Sequence, residues 1–163
     1  MENKNYGLQT MFDEAQKQLE REFKSSATLR NHATTVISVS SVIVSFFATF
    51  KVFDIASVNL SNTLLLLFIL IGLFYTALMI VAIRAAHPFS LTSPINPDAE
   101  EYIEAYADKS YEDILTNQTA LYLAAIQKNR IIISDQYGYS KAVDYLLGVV
   151  VALIVLATII AVL

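Results

Sequence analysis

The chain has no cysteine and no tryptophan. Without a thiol it forms no disulfide, no thiolate metal centre and no cysteine nucleophile. Its four glycines make no phosphate-cradling loop and no nucleophile elbow. It has only two histidines, His32 and His87, and no carboxylate stands at metal-ligand spacing beside either. An excess of positive charge is missing as well. The net charge of −4 argues against a broadly basic, nucleic-acid-binding surface and leaves room only for a local basic patch. The first thirty residues are polar and mixed in charge, so no cleavable signal peptide is expected and the first apolar segment must itself direct the chain. These absences together leave no catalytic constellation; no enzyme activity, metal or cofactor is expected.

What the chain has in abundance is apolar sequence. Its hydrophobic fraction is 55% and its mean hydropathy +0.51, values that point to a membrane protein of one compact unit rather than several soluble domains. The expected class is an all-α membrane protein: three transmembrane helices, an N-terminal amphipathic helix and a cytoplasmic helical segment between the second and third crossings. The boundaries read as 1–31 for the amphipathic helix, 32–84 for a transmembrane hairpin, 85–140 for the cytoplasmic region and 141–163 for the third crossing.

The first crossing, about 33–53, is unusual. Thr34, Ser38, Ser41, Ser45 and Thr49 recur at intervals of three or four, which on a helix makes one continuous small-polar line. Such a line serves close helix–helix packing, where hydroxyls let backbones approach, or the wetted wall of a pore. It runs nearly the full depth of a bilayer, and Phe46, Phe47 and Phe50 flank its outer half. Rings of Phe46 or Phe50 from several subunits could close a pore by dewetting. Three crossings cannot enclose a water-filled path within one chain, so a pore requires an oligomer.

Upstream, Leu8, Phe12, Ala15, Leu19, Phe23 and Ala27 keep a helical spacing. No Gly or Pro falls between Phe23 and Phe53, so one long helix is expected to pass from the amphipathic segment into the crossing. The second crossing, about 62–84, is Leu-rich and lipid-like; Gly72, Thr76 and Ala77 form a small patch, and Tyr75 needs an interhelical partner near mid-membrane. Pro88, Pro94 and Pro97 punctuate a loop, followed by a short acidic helix to about Lys109. Its acidic residues lack the spacing of a calcium loop. Ser110 with Asp113 resembles a capping box opening a helix over about 111–137, whose apolar face pairs with that of the N-terminal helix. Gly138 interrupts or kinks the path into the third crossing. There Gly148 and Ala152 form a small pair suited to close helix contact.

Asp144, the only carboxylate in that third helix, either reaches the boundary beside Lys141 or lines the inner mouth of a cation path. His32 and His87, with Arg30 and Arg84, read as polar residues at helix ends or as members of one site. Lys17, Arg21, Lys24, Arg30, Lys128 and Arg130 form either a charged face beside an anionic membrane or contacts for an anionic ligand such as a nucleotide or oligonucleotide signal. Basic residues crowd the segments assigned inside and only Lys51 lies in the outer loop, so the N-terminus is expected inside and the C-terminus outside an inner (cell) membrane.

The blocks SSATLRNHATTVISVSSVIVSFF (25–47) and LAAIQKNRIIISDQYGYSKAVDYLLGVVVALIVL (123–156) carry a resemblance. They are similar to the small multi-helix transmembrane effectors of nucleotide-signalled bacterial anti-phage defence, of the Pycsar transmembrane effector and Hailong channel effector type. Arg30, Asn31, His32 and Ala33 stand where those effectors often have Asp-x-Lys-Ala. The resemblance implies an oligomeric inner-membrane protein that conducts ions or disrupts the membrane when its cytoplasmic part is triggered. Its partners would be further copies of itself, the bilayer, and a nucleotide signal or a cytoplasmic signalling enzyme. A non-conducting adaptor that anchors a soluble partner is the alternative.

Overall fold

A computed structural model of the chain describes residues 2–55, 62–94 and 108–162, apart from the side chains at 2–5, 50–55 and 162. The described residues form three helices: α1 (Glu2–Ile55), α2 (Asn62–Ala86) and α3 (Tyr111–Val162). No strand occurs among the described residues. All three helices are long and apolar enough to cross a membrane. The expected acidic helix before Lys109 lies outside the described residues.

Local chemistry sets these boundaries. α1 has no proline, so nothing removes a backbone donor or blocks the preceding turn. α2 stops where Pro88 disfavours helical geometry at His87; the His87 amide still reaches back to the carbonyls of Ile83 at 3.0 Å and Arg84 at 3.3 Å. α3 begins at a true cap: the Asp113 amide donates to Ser110 Oγ at 3.2 Å, and the Ser110 hydroxyl donates to Asp113 Oδ2 at 2.6 Å. Gly138 was expected to interrupt or kink the path, yet α3 runs through it without a break. A helical glycine costs about 1 kcal/mol relative to alanine. Its neighbours Gln136, Ser140 and Val143 are all buried, and their packing outweighs that cost.

The chain divides into two units, one of Met1–Ala27 with Phe89–Asp135, the other of Thr28–Pro88 with Gln136–Leu163. The first is a parallel pairing of the early parts of α1 and α3. Ala15, Leu19, Ala125 and Ile126 form its core, and Phe12 meets Tyr122 edge-on with ring centroids 5.3 Å apart. Tyr111 donates to Gln9 Oε1 at 2.6 Å. Asn129, fully buried, accepts from the Thr92 amide at 2.8 Å and donates to the Thr92 carbonyl at 3.1 Å. One amide side chain thereby pairs the segment after α2 as a strand neighbour would.

The second unit is a three-helix bundle in which α1 and α3 run the same way and α2 runs back. Its core holds Ala33, Val36, Leu78, Ala82, Ala85, Val143 and Val150, continued by Leu67, Ile71 and Ala157. Small side chains dominate, as expected where helices associate by close packing rather than by escape from water. The outward residues are apolar too, among them Val42, Leu66, Leu73 and Ile159, the pattern of a bundle solvated by lipid.

Candidate functional site

The hydroxyl line of α1 is the candidate site, and the second unit treats its members unequally. Ser41 accepts or donates at 3.0 Å to the Tyr75 hydroxyl and also donates to its own Ile37 carbonyl at 2.7 Å. Thr34, Ser38, Ser45 and Thr49 are exposed. Thr34 donates to the Arg30 carbonyl at 3.0 Å, Ser38 to Thr34 at 3.1 Å and Thr49 to Ser45 at 2.8 Å. This back-bonding to the preceding turn satisfies the donors of Thr34, Ser38 and Thr49. Their oxygens keep lone pairs free to accept. Ser41, Val42, Ser45, Phe46 and Thr49 line an open groove of about 540 Å³.

The phenylalanines separate. Phe46 is exposed within the groove. Phe47 packs inward against Phe68 with centroids 5.5 Å apart. The side chain of Phe50 lies outside the described residues. Within the first crossing the buried serine is Ser40, 1% exposed and donating to the Ile37 carbonyl at 3.2 Å, and it lies off the line.

Asp144 is brought to His32. His32 Nε2 and Asp144 Oδ1 lie 2.8 Å apart. Lys141, a neighbour of Asp144 on α3, stands over the Tyr137 ring at 4.8 Å. At about 100° per residue, His32 falls on the opposite side of α1 from the hydroxyl line, with the buried face of Ala33, Val36 and Ser40 adjoining it. The two features therefore occupy different surfaces of α1. His87 is engaged separately, its Nδ1 at 3.1 Å from the Pro88 carbonyl. Sequence reasoning weighed His32 and Asp144 but did not join them. The usable signal was topological: α1 and α3 cross in the same direction, so residues near the start of each apolar run reach the same level.

The basic residues are partly committed to carboxylates. Lys24 pairs with Glu20 at 2.8 Å, and this neighbour holds the Glu20 carboxyl below the usual range, by hydrogen bond first and charge second. Arg130 Nε reaches Glu22 Oε1 at 3.4 Å. Lys17, Arg21 and Lys128 are exposed on the first unit, and Arg30 belongs to the second. Among the described residues no three His, Asp or Glu side chains gather as a metal ion would need.

No protein-family model, characterised protein or solved structure matches the chain. The site stands on its own geometry.

Proposed function

We propose that this chain is one subunit of a homo-oligomeric, ion-conducting or membrane-depolarising protein, with the first membrane segment of α1 lining the path. The observation that carries this reading is the outward placement of Thr34, Ser38, Ser45 and Thr49, on a surface the chain's own helices leave uncovered. In a lipid-solvated bundle a polar line of that length gains most from water or from another copy, and a ring of copies supplies both. Free lone pairs suit cations, and Phe46 in the same groove is the constriction. The finer topology belongs to this reading. The first unit is a cytoplasmic helical region whose amphipathic α1 segment packs on α3, the N-terminus is inside and the C-terminus outside. In this reading, which the resemblance to defence effectors supports, the trigger is a nucleotide signal or a signalling enzyme acting on that cytoplasmic side. No catalytic role is assigned.

The test is ion flux from liposomes loaded with the purified full chain. Ser45→Leu and Thr49→Leu should suppress it and Phe46→Ala should raise it. They are cleaner probes than Ser41, whose hydroxyl also serves Tyr75. Flux indifferent to all three overturns the pore assignment.

One observation favours a second reading. Leu121 and Ile131, on the same half of α3, are exposed on the first unit, outside the segments assigned to lipid, as a partner-binding face would be. In a non-conducting adaptor, that face would bind a stoichiometric soluble partner, and expression would leave the membrane potential unchanged.

A further inference from the structure

The second unit has a polar contact for each pair of its helices. Ser41 joins Tyr75 between α1 and α2. Gln136 Nε2 donates to the Ala85 carbonyl at 3.4 Å between α3 and α2. His32 joins Asp144 between α1 and α3. These contacts differ in access. Gln136 is fully buried and Ser41 is part-buried. The His32 and Asp144 side chains remain 44% and 57% exposed. The contact sits on the rim of a seam made by the residues next to it in sequence, Ala33 and Val143, each 0% exposed. Ala33 is small and Val143 short, and both belong to the cluster against which Ile37 of α1 and Tyr139 and Leu147 of α3 pack.

We propose that the His32–Asp144 contact is the releasable tie of the second unit: it holds α1 against α3, and its parting lets α1 move away from α3. Of the three contacts, water and outside polar groups reach this one most readily, and an exposed pair contributes little to stability. It therefore biases an equilibrium between two arrangements rather than locking one. α1 carries the hydroxyl line, so the tie would govern conduction; that consequence rests on the function proposed above.

The absence of cysteine permits a direct test in the full-length protein. Ala33→Cys places a single thiol in the closed seam, and its modification by a charged, water-soluble thiol reagent reports how often the seam opens. His32→Ala and Asp144→Ala should each speed modification by about two- to five-fold, the range an exposed pair carries. The exchanged pair, His32→Asp with Asp144→His, should restore the parent rate. Val143→Cys serves as the reporter where Ala33→Cys does not fold. An unchanged rate in both alanine variants, or a change in only one of them, overturns the tie whatever the flux. Potassium flux from the same liposomes decides the other question. Accelerated modification with no flux in any variant upholds the tie and refutes conduction.

Discussion

Glu22 offers a perturbation whose sign and size both follow from the structure. Its side chain is 12% exposed, and Arg130 reaches only Oε1, at 3.4 Å. Oε2 is buried without a hydrogen-bond partner. Burial pushes the carboxyl above its usual range, and the hydrogen bond and charge of Arg130 oppose this only in part. A group with a raised folded value binds its proton more tightly in the folded chain. Its contribution is most favourable below the usual carboxylate range and is lost as pH rises through the raised value. At neutral pH the buried, unpaired oxygen costs about 1–3 kcal/mol. An ion pair whose guanidinium is 64% exposed returns only about 0–1 kcal/mol. Glu22→Met, similar in volume and free of polar atoms, should therefore stabilise the first unit by about 1 kcal/mol at pH 8, a roughly five-fold gain in hydrogen-exchange protection. Glu22→Gln should share the loss of pH dependence. At pH 4 the advantage should shrink toward zero. Exchange over 13–26 and 119–132, compared between parent and variant at each pH, cancels the intrinsic pH effect. Equal protection at pH 8, or a variant less protected there, refutes the reasoning.

Leu78→Ala removes a side chain with 0% exposure from the centre of the second unit; in lipid the transfer term is absent, so a loss of about 1–3 kcal/mol is expected, below the ~2–5 typical of water-soluble cores, measured by unfolding in mixed micelles. Asn129→Ala frees both backbone groups of Thr92 and should cost about 1–3 kcal/mol, read as faster proteolysis of the segment around Thr92 with the helix content unchanged. Tyr75→Phe should cost only about 0.6 kcal/mol, since the Ser41 hydroxyl keeps its Ile37 acceptor; a loss several times larger would mean that the α1–α2 contact carries the bundle.

Much of the architecture was legible in the sequence because its causes are local. The proline-free path into the first crossing, Ser110 with Asp113, and Pro88 each act within one turn, and the helices begin and end there. The pairing of Leu19 with Ala125 and Ile126 follows from two apolar faces with helical spacing. Gly138 does not end the helix, because its cost is local while the packing of Gln136, Ser140 and Val143 is not. The site was harder to read. In a lipid-solvated bundle both the inner and outer faces of α1 are apolar, so periodicity finds the hydroxyl line without revealing which way it points. Ser40, off that line, is the serine of the first crossing that the bundle buries. The approach of His32 to Asp144 depends on the register of two helices separated by more than a hundred positions, which no local spacing encodes.

That register bears on how a path through several copies would select ions. α1 meets α2 at the Ser41 edge of the hydroxyl line and α3 on the His32 side, and its exposed hydroxyls lie on the side away from α3. If those hydroxyls face the axis of a ring, α3 stands behind α1, and Asp144, held by His32, lies off the path. Its carboxylate is then too remote and too well solvated to set selectivity, since water and salt screen a charge at that distance within about 8–10 Å. Selectivity falls to the hydroxyl oxygens, whose donors at Thr34, Ser38 and Thr49 are turned to the helix backbone. Asp144→Ala should therefore leave the cation-to-anion permeability ratio, read from the reversal potential in a potassium chloride gradient, within experimental scatter of the parent, even where the total current grows. Ser38→Ala with Ser45→Ala, which strips acceptors from the line, should lower that ratio. A ratio that collapses in Asp144→Ala and survives the double serine change would place the carboxylate at the mouth and the hydroxyl line against a neighbouring helix.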